Sequence, residues 1–245
     1  MPTSLHNQVV EHLGSRIVSG VIPQGSILLA ADLEDRLEVS RSVIREAIRV
    51  LAQAGLVTST KRVGIRVLAP EHWNPFDTQV IRWRLASDQQ GAQLRSLTEL
   101  RSCVEPMAAE LAAVHAPEAM RKELLMVSAQ MSHYGRQGDL VRFLELDIRF
   151  HAIVLAASGN EMFATLATPI GAILRGRTEL GLMPDRPHEE ALAWHQAVAD
   201  AISTADSVGA RKNMDSIMRR TQNEISGIWQ DAPRLFHDPT RPQRK

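Results

Sequence analysis

The stretch Val39-Ser40-Arg41-Ser42-Val43-Ile44-Arg45-Glu46-Ala47-Ile48-Arg49-Val50-Leu51 constrains the fold more than any other. Val43, Ala47, Val50 and Leu51 recur at helical spacing, which predicts a helix with one dry face. Ser40 stands at the N-cap position, where a hydroxyl can accept a first-turn amide. The wet face carries Arg41, Ser42, Arg45 and Arg49, with Glu46 as its one acid. Guanidinium groups grip phosphates or fork onto guanine, and hydroxyls bond either, so this face suits the major groove of DNA. Taken alone, a basic amphipathic helix is more often an ordinary solvated surface.

Its neighbours change that balance. Leu28 to Leu37 reads as a shorter helix, and the tight Glu38-Val39 link is that of a helix-turn-helix. Ala54-Gly55 ends the third helix, with glycine at the favoured position. Leu56-Val57-Thr58-Ser59-Thr60 and Ile65-Arg66-Val67-Leu68 then read as two strands around Lys61-Arg62-Val63-Gly64, a hairpin with a basic tip. With a first helix from Leu5 to Val18, residues 1–68 are expected to form a winged helix-turn-helix. Its DNA contacts are expected at Ser40, Arg41, Ser42, Arg45, Arg49, Lys61, Arg62 and Gly64.

The whole chain of 245 residues carries 28 basic and 28 acidic groups. That balance excludes a general polyelectrolyte binder, so contact with nucleic acid must be local. Cys103 is the only cysteine, which suits a reducing cytoplasm; its helical neighbours predict a small buried hydrophobe. No secretory leader pattern and no membrane-length apolar run is present, and a soluble cytoplasmic protein is expected.

Residues 69–76 read as a linker around Pro70. Beyond Trp73 strand signals vanish, and helices are expected near 77–88, 92–115, 117–134, 139–158, 160–182, 187–204 and 206–230. The fold class is therefore mainly α: a winged domain, then an all-α antiparallel bundle of six to seven helices over 77–230. Pro106 should kink the second of these, and the proline-rich tail 231–245 is expected to be disordered.

Within the bundle, Asp147 and His151 are four apart and share a helix face. His195 belongs to a helix turned inward by Val198, Ala201 and Ile202. Two imidazoles and a carboxylate can hold a divalent transition metal, or can be structural histidines with Asp147 as partner. Arg101 lies in a segment apolar enough to be buried, and a buried arginine needs an anion, either Glu105 or the carboxylate of a ligand. Arg175 and Arg177 can add contacts, at least one of them being expected at the surface. Asn160 reads as a helix cap. An open metal position would also serve a hydrolase, but no nucleophile elbow or Gly-rich loop accompanies it.

"GSRIVSGVIPQGSIL", "VSRSVIREAIRVLAQAGLV" and "KRVGIRVLAP" resemble the DNA-binding domain of GntR-type bacterial regulators. That family usually has Leu-Pro-Ser-Glu and a basic residue where this chain has Ile27-Leu28-Leu29-Ala30 and Ala31, which removes a helix-start signal and one phosphate contact. "LTELRSCVEPMAAELAA", "LDIRFHAIVLAASGNEMF" and "WHQAVADAI" resemble the effector domain of its FadR subfamily, called FCD. Trp73-Asn74, Asp77, Val80 and Trp83 resemble the junction in repressors of D-galactonate catabolism.

The resemblance implies a homodimer on an inverted-repeat operator of double-stranded DNA. Release would come from a small carboxylate, D-galactonate or a similar aldonate. Arg101, Asp147, His151, His195 and Arg175 are implied at the effector site. A divalent metal of the zinc, nickel or manganese type would take Asp147, His151 and His195. The family's fourth ligand falls at Ile217, which cannot coordinate, as in the galactonate-type repressors. The alternative is a metal-bearing relative answering to lactate or a dicarboxylate.

Overall fold

The computed structural model describes residues 4–60, 62–182 and 186–234. Its contacts divide the chain into two compact units, one running to Gln90 and the other spanning Gly91–Ala232.

The first unit holds α1 (Leu5–Val18), α2 (Ala30–Leu37) and α3 (Arg41–Gln53). A sheet of β1 (Ile27–Leu28), β2 (Val57–Thr60) and β3 (Gly64–Val67) runs in the order β1-β3-β2. α3 buries Ile44, Ala47, Ile48 and Leu51, the i, i+3, i+4, i+7 stripe of one helical face. Val43 and Val50, expected in that stripe, are half-buried. The adjacent pairs Val43-Ile44 and Val50-Leu51 offer two neighbouring stripes, and packing against α1 and β2 selects the one through Ile44. Glu38 takes the left-handed conformation (φ 53°) that turns α2 into α3. Ser40 has the extended backbone of an N-cap, but its hydroxyl bonds that of Ser42 at 2.8 Å instead of the expected amide.

The helix expected from Leu28 starts two residues later. Ile27 and Leu28 pair with Arg66 and Ile65 as an edge strand, and α2 opens at Leu29 without a side-chain cap. β2 and β3 pair from Val57↔Val67 to Thr60↔Gly64, so Ile65 and Val67 face inward while Arg66 faces out. Gly64 has φ 118°, and a Cβ there would sit 2.9 Å from the Leu28 carbonyl oxygen, so the backbone itself demands glycine.

The segment expected as a linker is packed. It forms a 3₁₀ turn (Pro70–His72), Trp73 is buried, and the Asn74 amide donates to the Ala54 carbonyl at 2.9 Å. α4 (Thr78–Leu85), capped by Asp77 through the amides of Gln79 and Val80, belongs with this unit and not with the helical bundle. Val80 and Trp83 join its core, Arg82 pairs with Glu11, and Gln89 donates to the Val18 carbonyl at 2.9 Å. The division therefore falls at Gln90 and not at residue 77, because α4 has its apolar partners on α1.

The second unit is all helix among the described residues: α5 (Gln90–His115), α6 (Glu118–Gln137), α7 (Leu140–Ala157), α8 (Glu161–Thr165), α9 (Ala167–Glu179), α10 (Glu189–Ser203) and α11 (Ser207–Trp229). α6 packs on α7 and α10, α10 on α11, and α7 on α9. Ala108, Ala109, Ala112 and Ala113 are wholly buried and belong to the bundle's core. α5 runs through Pro106 without a break. The helix expected over 160–182 is interrupted at Leu166, giving α8 and α9, and Asn160 caps α8 through the amides of Met162 and Phe163.

Cys103 is exposed on α5, not buried: Arg101 and Glu105 on either side take the inward positions. At the start of the expected disordered tail, the Ala232 carbonyl accepts from Arg95 at 2.6 Å. The rest of that tail, from 235 onward, lies outside the described residues.

Candidate DNA interface and effector cavity

α3 displays Arg41, Ser42, Arg45 and Arg49 as an exposed row, because the buried stripe at Ile44, Ala47, Ile48 and Leu51 turns them outward. Glu46 approaches Arg45 only to 3.8 Å, with both side chains well exposed, so the row keeps its charge for an external anion. Ser40 is exposed beside it. A groove of about 1290 Å³ runs between α3 and the β2–β3 ribbon, lined by Arg41, Arg45, Arg49, Thr58, Thr60 and Arg66. Arg66 was not among the expected contacts; the alternation Ile65 in, Arg66 out, Val67 in was the signal for it. Arg62 is exposed at the hairpin tip with φ 67°. Lys61 lies outside the described residues. Gly64 is half-buried at the start of β3, where the lack of a Cβ lets the Leu28 backbone approach.

In the second unit a cavity of about 60 Å³ opens among α5, α7, α9, α10 and α11, and Arg101, Asp147, His151 and His195 all line it. Glu105 is fully buried and divides itself between two partners. One oxygen accepts from Arg101 Nε at 2.5 Å and the other pairs with His151 Nδ1. His151 Nε2 is thereby turned to Asp147 Oδ1 at 3.4 Å, with Arg101 Nη2 3.3 Å away. His195 is oriented likewise. Its Nδ1 lies 2.7 Å from the Ala191 carbonyl, so Nε2 faces Asp147 Oδ1 at 3.3 Å. Phe150 packs edge-on to both imidazoles.

These neighbours set the ionisation of the cluster. Burial favours a neutral Glu105, but Arg101 and His151 outweigh it and hold the carboxyl down at about 2. Burial likewise opposes charge on Asp147, yet bonds from His151 and His195 keep it well below the usual carboxylate range. For His151 burial works against the proton, while the Glu105 charge and two carboxylate bonds raise it to about 9.

Arg175, expected at this site, is not there. Its guanidinium lies at the surface against Glu145, because residue 175 falls on the outer face of α9. Arg177, two positions on, is buried and lines the cavity in its place, with Glu224 at 3.6 Å. Arg220, Thr221, Glu224 and His188 complete a polar wall that sequence reasoning missed, and Ile217 supplies an apolar patch.

The ligand atoms of Asp147, His151 and His195 lie within 4.8 Å of one another. Both histidines have their second nitrogen occupied, as metal-ligating histidines do, so a site with three protein ligands and open positions fits the residues present. A closed four-ligand site does not fit, since Ile217, at the position where the resemblance implies the fourth donor, lines the cavity and cannot coordinate.

A winged helix with a free arginine row, joined to a helical domain around a charged cavity, defines a DNA-binding regulator with an effector domain. The comparisons with known proteins agree. The FCD domain matches residues 96–220, and the gntR family of bacterial regulatory proteins matches residues 5–67. The galactonate operon transcriptional repressor of Escherichia coli (strain K12) is 31% identical over 209 residues, covering 84% of this chain and 90% of that protein. The Exu regulon transcriptional regulator of the same strain is 29% identical over 168 residues, covering 67% and 61% respectively. Among solved structures, one of Lar, titled as controlling the Listeria monocytogenes agr system, aligns with TM-score 0.62 at 17% identity, covering 93% of this chain and 99% of that one. That likeness shows the fold alone. The chain belongs to the gntR family of bacterial regulatory proteins, in its FadR-type branch with an FCD domain. It is a transcription regulator and not an enzyme. Among the described residues no helix is long and apolar enough to cross a membrane.

Proposed function

We propose that the protein is a homodimeric repressor of sugar-acid catabolism, released from an inverted-repeat operator by an aldonate such as D-galactonate. The carrying observation is the FCD cavity, which buried cations share with Asp147, His151 and His195 in a chain similar to a galactonate operon repressor. A carboxylate suits the cationic side, and hydroxyls suit acceptors and imidazoles on the other. A single recognition helix makes few base contacts, so two copies, presented about one turn of DNA apart, supply useful affinity. The effector acts by binding one arrangement of the dimer more tightly than the other.

Proximity of the three metal-type donors favours a second feature. A divalent metal of the zinc, nickel or manganese type would be held by Asp147, His151 and His195 and would supply positive charge for effector oxygens. Glu105 and the Ala191 carbonyl would keep the two imidazoles turned toward it. Such a site also suits a lactate- or dicarboxylate-type effector.

Calorimetry of the full chain against aldonates and small dicarboxylates tests the reading. Saturable binding of D-galactonate or a near aldonate is expected. Preference for a dicarboxylate or lactate overturns the aldonate assignment, and no binding to any acid overturns the whole.

A further inference from the structure

Three guanidinium groups line the effector cavity, and the surrounding acids treat them unequally. Arg101 donates to Glu105 at 2.5 Å, and both side chains are sealed from solvent. Arg220 donates to Glu224 at 2.8 Å and to Glu190 at 3.1 Å. The charges of these two are met before any ligand enters.

Arg177 differs. The residue is 3% exposed, and its ionic contact is Glu224 Oε2 at 3.6 Å, on a carboxylate whose other oxygen Arg220 already holds. Its Nε is buried with no hydrogen-bond partner among the described residues. A guanidinium N–H out of water and unbonded is costly, and a planar carboxylate closing a fork across Nε and an Nη would satisfy it.

We propose that Arg177, and not Arg101, takes the carboxylate of the effector, and that this one guanidinium with an unbonded Nε makes the site selective for monocarboxylates whose remaining oxygens are hydroxyls. This rests on the proposed function and deepens it. The same cavity is lined by Asp147, His195 and Thr221, which in the metal-free protein are open to bond hydroxyl groups. In the metal-free protein a second carboxylate would meet the charges of Asp147 and Glu224, which line the same cavity, and be repelled. Burial and the nearby Arg101 charge lower the Arg177 guanidinium to about 10, so it remains a cation at neutral pH.

The test is calorimetry of the chelator-treated full chain with D-galactonate, D-galactonamide and the diacid D-galactarate. It compares the natural protein with Arg177→Gln, Arg177→Met and Arg101→Lys, and records a melting temperature for each. The natural protein should favour galactonate over its amide on the order of 100-fold, as a charge-assisted fork would give. It should favour galactonate over galactarate by at least about tenfold, from like-charge repulsion. Arg177→Gln and Arg177→Met should lose the preference for acid over amide while melting normally, and Arg101→Lys should keep it. If one Arg177 variant fails to fold, the other decides. Acid preference that survives in a folded Arg177 variant, or vanishes in a folded Arg101→Lys, overturns the assignment and leaves the proposed function standing. Galactarate bound as tightly as galactonate does the same. No binding by the natural protein to any of the three, or to other aldonates, removes the proposed function and this inference with it.

Discussion

Glu105 lies one helical turn beyond Arg101 and closes a 2.5 Å ion pair with it, both side chains shut off from solvent, while its second oxygen holds His151. Each member is costly to bury alone, so the arrangement is stable only while complete. Glu105→Gln should therefore leave Arg101 uncompensated and cost about 3–5 kcal/mol. Denaturant melts of the two proteins measure this. A loss below about 1 kcal/mol would mean that Arg101 has another anion.

The same cluster makes the metal-free protein sensitive to pH. His151 is raised from 6.5 to about 9 on folding, so its contribution is full below 6.5 and is lost as pH climbs through 9. Glu105 is lowered from 4.5 to about 2, and Asp147 is lowered too, so their contributions are full above 4.5 and are lost on acidification. Chelator-treated protein should thus melt highest between about pH 5 and 6.5 and progressively lower toward pH 9. A melting temperature that rises over that alkaline range would contradict the assignment of charge.

On the DNA side, Arg45 is exposed and its only ion-pair partner among the described residues is a loose Glu46. Arg45→Ala should weaken operator binding by at least about tenfold and leave stability within about 0.5 kcal/mol. Electrophoretic shift and a thermal melt on one preparation check both halves. Unchanged operator affinity would place the reading surface elsewhere.

Arg121 performs a structural task that resembles no ligand site. Its guanidinium donates to the carbonyls of Ala113 in the last turn of α5 and Ala116 just beyond it, and of Ile202 and Ser203 at the end of α10. It thereby satisfies helix-end acceptors that would otherwise be orphaned. Arg121→Lys keeps the charge but not the fork, and should still cost about 1–3 kcal/mol in urea unfolding. Full stability in the lysine variant would show that charge alone is enough.

For the metal, Ile217 is the informative position, since it lines the same cavity as the set of three donors. Ile217→His should complete a four-ligand set and tighten zinc by at least about tenfold in competition with a chelator. Equal affinity in the two proteins would mean that residue 217 does not point at the donors.

Much of this was legible in the chain. Helix limits followed Gly138, Gly159, Pro117 and the Thr204-Ala205-Asp206 corner, because each interrupts backbone hydrogen bonding locally. What depends on two elements meeting was harder to read. Val43 and Ile44 are both strongly apolar, and the packing of α1, α2 and β2 on α3 decides which one is covered. The bond from Glu105 to His151 joins residues on different helices and leaves no mark in either segment. Arg177 was within reach: Ile170, Ile173, Leu174 and Arg177 form an i, i+3, i+4, i+7 stripe that is buried throughout, and Arg175 falls outside it. Residues 78–85 read as a bundle helix because their partner, α1, lies far back in the sequence.

The most direct test of the central claim, that the FCD cavity senses a sugar acid on behalf of the winged helix, is fluorescence anisotropy of a labelled operator fragment bound to the full chain during titration with D-galactonate. The neutral polyol galactitol serves as the control. The expected result is saturable release by the acid, none by the polyol, and loss of release in Asp147→Ala with operator affinity retained. Operator affinity indifferent to galactonate and to every other aldonate, or release that persists unchanged in Asp147→Ala, would contradict it.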